Sequence, residues 1–126
     1  MRDEIFGSWS LERFDIVSPE GVEKPWGENV SGLLIYSKDG HMSVSINRAL
    51  NNSEPNEAKA IFDSILFYSG TFQIDGNVIL HQVTQASNPS RIGKEMIRYA
   101  ELADGLLVLT TPKESFGTAK LIWRKI

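Results

Sequence analysis

A mainly all-β fold, an up-and-down antiparallel barrel of about eight strands with one short amphipathic helix, is what this sequence predicts. Asp39-Gly40, Asp75-Gly76 and Asp104-Gly105 each stand between two β-rich runs, the strongest short-range hairpin signal. No strand–helix–strand alternation is visible, so the strands are expected to follow one another as a meander. Helical periodicity is confined to the segment 53–66. A two-sheet sandwich is the alternative packing of the same elements.

The central hairpin, residues 66–86, organises the reading. A two-residue turn at Asp75-Gly76 sets Ile74 opposite Asn77, Phe72 opposite Ile79, Gly70 opposite His81 and Tyr68 opposite Val83. Tyr68, Gly70, Phe72, Ile79, His81 and Val83 then share the more apolar face, which is expected to be buried. Ser69, Thr71, Gln73, Val78, Leu80 and Gln82 share the other. Gly70 is expected to leave space beside the imidazole.

Residues 5–17 read as the first strand. Trp9 and Leu11 have one parity, Phe14 and Ile16 the other, and this switch predicts a bend or bulge. Residues 18–29, with Pro19, Gly21, Pro25 and Gly27, read as an irregular loop holding Trp26. In the hairpin around Asp39-Gly40, Met42, Val44 and Ile46 alternate inward against Ser43, Ser45 and Asn47. The preceding run is apolar on both faces, so Tyr36 stays open: a two-residue turn puts it outside, a three-residue turn beside Met42. Ala58, Ile61, Phe62, Ile65 and Leu66 fall on one helical stripe that is expected to dock on the barrel, with Ser53 as cap and Pro55 early in the helix. At Asp104-Gly105 the pairing predicts Leu102, Leu107, Ala100, Leu109, Met96 and Arg98 on one face. Ala119, Leu121 and Trp123 alternate along the last strand.

Composition narrows the function classes. The chain of 126 residues is read as one domain, residues 1–126, and its 41% apolar content suits a packed core. Net charge is −3 with no basic block, which argues against nucleic acid and anionic membrane as partners. There is no apolar run of membrane-spanning length, and the start lacks the apolar core of a signal peptide. The absence of cysteine excludes disulfides and thiol catalysis and fits a reducing cytoplasm. His41 and His81 stand far apart, so no metal site is expected, and no phosphate loop or dinucleotide fingerprint implies a cofactor.

The ends of the chain carry Gly7-Ser8-Trp9 and Trp123-Arg124. Between them come Pro25-Trp26-Gly27, Gly32 through Tyr36, Asp39-Gly40-His41-Met42-Ser43 and Tyr68-Ser69-Gly70-Thr71-Phe72. His81, Pro89 with Gly93, and Arg98 complete the set. This ordered set resembles the bacterial lipocalin-like domain family, a group of small calycin-type β-barrels. The resemblance implies the barrel fold, and it implies that a basic residue of the last strand, Arg124, covers Trp9. The chain departs from secreted lipocalins in lacking a signal peptide and a disulfide, and in placing its helix between the third and fourth strands. No common reaction follows from the resemblance.

The candidate ligand-binding residues are His81, Arg98, Tyr68, Phe72, Met42, Tyr36 and Trp26. His81 reads equally as a core histidine bonded to a tyrosine or carbonyl and as a polar handle in a cavity. Arg98 within an apolar layer needs a partner: Asp15, Glu101, a ligand acid, or water at the rim. The aromatic and methionine side chains serve a core or a pocket alike. The first expectation is therefore a small-molecule-binding barrel whose ligand is a small amphipathic or aromatic acid. The second is an isomerase- or cyclase-type enzyme with His81 as acid/base and Arg98 as oxyanion stabiliser. The third is a solid-cored interaction domain. No catalytic residue is assigned, and a homodimer stays open.

Overall fold

Turn chemistry sets the architecture. The computed structural model describes residues 2–50 and 58–126. Its strands are β1 (Gly7–Val17), β2 (Glu23–Pro25), β3 (Ser31–Tyr36), β4 (His41–Asn47), β5 (Ile65–Asp75), β6 (Val78–Ala86), β7 (Glu95–Ala103), β8 (Leu106–Thr110) and β9 (Thr118–Lys125). All pair antiparallel in the order β2-β1-β3-β4-β5-β6-β7-β8-β9, and β1 closes the ring on β9. The short β2 and β3 take successive halves of the same edge of β1, so the barrel has eight staves. Closure leaves no long open edge.

Each hairpin follows from its glycine. Asp104 (φ 53°) and Gly105 (φ 77°) are both left-handed, as a type I′ turn requires, and Leu102 pairs with Leu107 and Ala100 with Leu109. At Lys38-Asp39-Gly40 the loop has three residues: Ser37 N–H donates to the His41 carbonyl at 2.9 Å, and Gly40 takes φ 92°. Tyr36 therefore lies opposite Met42, facing inward. In the central hairpin the turn is Gly76-Asn77 rather than Asp75-Gly76, with Asp75 paired to Val78. The left-handed glycine, φ 62°, takes the first central position. The pairing thus slides by two residues from the expected one, and every side chain keeps its face. His81 lies opposite Phe72, and Gly70 opposite Val83.

Closure rests on β1 and β9. The parity switch in β1 is a register shift between Leu11 and Arg13 against β9, which turns Leu11 and Phe14 both into the core. Trp9 is 1% exposed, and its indole Nε1 donates to the Ile5 carbonyl at 2.9 Å. That bond ties down the four-residue helix α1 (Arg2–Ile5), whose last residue, Ile5, the alternation pattern places in the first strand. The basic residue over Trp9 is Lys125, with Nζ 4.6 Å from the ring centroid. It is not Arg124, whose alternate position points it outward to an ion pair with Glu12. Lys125→Met should cost about 1 kcal/mol, from the cation–π contact and the bonds of Nζ to the Glu4 and Phe6 carbonyls. Arg124→Met should stay within about 0.5 kcal/mol of the parent. Urea denaturation of the two variants measures both, and the reverse order would return the role to Arg124.

Helix α2 (Ala58–Asp63) ends earlier than its periodicity predicts. Ser64 stops it by bonding back to the Ile61 carbonyl through both N–H and Oγ. Ile65 and Leu66 already pair with Asn47 and Ile46 of β4, so the end of the supposed stripe is strand. Ile61, Phe62 and Ile65 are 41%, 43% and 43% exposed, so the expected docking face is not buried among the described residues. Ser53 and Pro55, read as cap and first turn, lie outside the described residues.

Candidate functional site

β6 delivers His81 to the interior, where it is 1% exposed and both ring nitrogens are engaged. Tyr36 from β3 places its hydroxyl 2.6 Å from Nε2, and Tyr68 from β5 places its hydroxyl 2.6 Å from Nδ1. The three rings thus form one hydrogen-bonded chain across the barrel. Burial, reinforced by the positive charge of Arg98, pushes the imidazole pKa down to about 3, so His81 is neutral at pH 7. Burial also raises both phenols, Tyr36 well above its usual range; for Tyr68 the nearby Arg98 and Arg91 work in the opposite direction.

The chain ends at a cavity of about 580 Å³. Tyr68, His81, Arg98 and Trp26 belong to its wall together with apolar side chains such as Leu34, Ile46, Leu109 and Trp123. Arg98 is half-buried on β7; it donates from Nη1 to the Ile97 carbonyl at 2.8 Å and lies within interacting distance of the Tyr68 hydroxyl. Among the described residues no carboxylate makes an ion pair with it. Asp15 is held by Arg13 at 2.9 Å, and Glu101 points outward. Arg91, carried by the 3₁₀ turn Pro89–Arg91, adds a second guanidinium to the wall. The carboxylates of the wall, Glu95 and Glu114, belong to exposed residues, and Glu95 already accepts from Gln82 Nε2 at 2.8 Å. Trp26 stacks on Phe14 with centroids 4.8 Å apart, while Arg48 covers its other side at 4.3 Å and donates to its carbonyl.

The model of the lipocalin-like domain matches residues 6–126. The chain belongs to this family. A lipocalin-like protein from Bacteroides uniformis has a similar structure at 14% identity, with a TM-score of 0.54 and coverage of 98% of this chain and 99% of that one. An uncharacterised protein from Bacteroides eggerthii gives 15% identity, a TM-score of 0.52 and coverage of 97% and 99%. A redesigned β-barrel gives 7% identity, a TM-score of 0.52 and coverage of 98% and 93%. At such identities the likeness is one of fold. No curated protein matches the chain.

Within this lipocalin-like barrel the seven candidate residues divide. Tyr68, His81, Arg98 and Trp26 reach the cavity. Tyr36 does not line it but stands behind His81 as the inner end of the chain. Met42, 3% exposed, is core, and Phe72 packs on Tyr36 and Phe6 beside a separate recess of about 270 Å³. Sequence reasoning missed Arg91 and Trp123 as wall residues. Trp123 was within reach, since it shares parity with Ala119 and Leu121, which also line the cavity. Arg91 sat in an irregular loop where no periodicity gives a direction. Among the described residues no group of acidic or histidine side chains could hold a metal, and no helix is long and apolar enough to cross a membrane.

Proposed function

We propose that this lipocalin-like protein binds a small amphipathic or aromatic carboxylic acid in its barrel, with Arg98 receiving the acid group. The observation that carries this reading is a half-buried guanidinium in an apolar wall without a carboxylate partner among the described residues. A charge so placed is stabilised by a ligand of opposite charge, through short charge-assisted hydrogen bonds. The cavity of about 580 Å³ falls within the range of small-molecule sites and speaks against a solid-cored interaction domain. His81 as direct acid/base is the weaker reading, because both its nitrogens are occupied by tyrosine hydroxyls. The absence of cysteine supports a reducing, cytoplasmic setting.

Naphthylacetate and naphthylacetamide have nearly the same shape and differ in charge. Calorimetry should find the acid bound at least tenfold more tightly, with Arg98→Met removing most of that preference while leaving the fold intact. Equal affinity of acid and amide for the parent protein would refute the reading.

A further inference from the structure

The Tyr36–His81–Tyr68 chain has two possible polarities, and its surroundings choose between them. A neutral imidazole has one N–H and one lone pair. In one arrangement Tyr68 donates to Nδ1 and Nε2–H donates to Tyr36. The Tyr36 O–H must then find another acceptor. Tyr36 is 1% exposed, and among the described residues its hydroxyl has no partner besides His81. A donor buried without a partner is strongly disfavoured. In the other arrangement Tyr36 donates to Nε2, and Nδ1–H donates to the Tyr68 oxygen. The one hydrogen left over is then the O–H of Tyr68, which is also buried, at 3% exposed, but lines the cavity where Tyr36 does not.

Tyr68 belongs to the cavity wall, and Arg98 lies beside its hydroxyl. Arg98 can only donate, so it can share the oxygen of Tyr68 but cannot absorb its hydrogen. We propose that the chain is polarised outward, from Tyr36 through His81 to Tyr68, and that Tyr68 thereby presents its O–H to the cavity as a second donor for the ligand's acid group beside Arg98. The ligand half of this inference rests on the acid-binding reading; the polarity does not. The device gives the site a fixed donor at a position where an isolated tyrosine could turn to accept. It favours a carboxylate, which accepts from both groups, over an amine or alcohol, which must donate to something. Tyr36 and His81 act here as positioning residues, and Tyr68 and Arg98 as contacts.

Two measurements test it. Nitrogen-15 NMR of the ligand-free protein, through two- and three-bond couplings to the ring protons, identifies which nitrogen of His81 carries hydrogen. The expected result is Nδ1–H, the minor tautomer of free histidine in water; Nε2–H would overturn the polarity. Separately, Tyr68→Phe keeps the ring in the wall and removes the hydroxyl. Its affinity for naphthylacetate should fall roughly tenfold or more, as for a lost hydrogen bond to a charged group, and its affinity for naphthylacetamide by much less. An unchanged acid affinity in Tyr68→Phe would overturn the donor role even if the tautomer is Nδ1–H. A parent protein that fails to prefer the acid would remove the ligand half and the acid-binding reading together, while the tautomer result still decides the polarity.

Discussion

Gly70→Ala is expected to cost about 5 kcal/mol or more, at the extreme of single substitutions. A Cβ at this position would lie 1.7 Å from the Gln82 carbonyl oxygen and 2.8 Å from its carbon. Both are backbone atoms of β6, so no side chain can swing aside. The close approach arises where the β5–β6 register shifts: Ser69 pairs with Gln85 and Gly70 with Val83, leaving Thr84 as the extra residue. Alanine forces the strands apart at the point where Tyr68 meets His81, so the Tyr68–Nδ1 bond should weaken with the fold. Gly76→Ala is the comparison. Nothing lies within 4 Å of a Cβ there, and only its φ of 62° resists, at about 1 kcal/mol. Chemical denaturation of both variants gives the ranking. A Gly70→Ala protein within about 1 kcal/mol of the parent would mean that the bulge can migrate along β6.

Gly70 also shows where the sequence could and could not be read. Its parity, and that of Tyr68, Phe72, Ile79, His81 and Val83, follows from period-two alternation, and all six are buried. A turn displaced by one residue leaves that alternation untouched, because the pairing slides by two. The reason for a glycine at this position was not legible: a bulge depends on the partner strand, and Thr84 carries no mark of it. The same holds at the barrel's seam. A parity switch announces the bulge in β1, but whether Arg124 or Lys125 covers Trp9 depends on how β9 meets β1 at its last residue. Helix α2 failed for a different reason. Residues 61–66 satisfy a 3.6-residue period and also begin a strand, and the β4 ladder decides in favour of the strand at Ile65. As for the site, parity places His81 and Tyr68 on one face of the central hairpin and Arg98 on the inner face of the third. Their union with Tyr36 depended on the length of the loop at Lys38-Asp39-Gly40, which the sequence left open.

Acid should unfold this protein partly through His81. Well above its ordinary pKa of 6.5 the imidazole is neutral in the folded and unfolded chains alike, and it adds nothing to the pH dependence. Between its ordinary pKa of 6.5 and its folded value of about 3 the unfolded chain takes up a proton that the folded chain refuses. Stability therefore falls as pH falls, by about 1.4 kcal/mol per pH unit, and the loss levels off near ~5 kcal/mol below about pH 3. The hydrogen-bond chain shows why the folded state refuses the proton. An imidazolium donates from both nitrogens, so both tyrosines must accept, and the O–H of Tyr36 is again left buried without an acceptor among the described residues. Arg98 adds like-charge repulsion. His81→Gln keeps a side chain able to bond both hydroxyls but cannot titrate. Urea denaturation at pH 7 and pH 5 should show the parent losing ~2 kcal/mol more than the variant over that interval. His41 is exposed and present in both proteins, so its contribution cancels. Equal losses in parent and variant would show that His81 gains its proton in the folded barrel near its ordinary pKa, and the closed tyrosine–histidine chain would have to be abandoned.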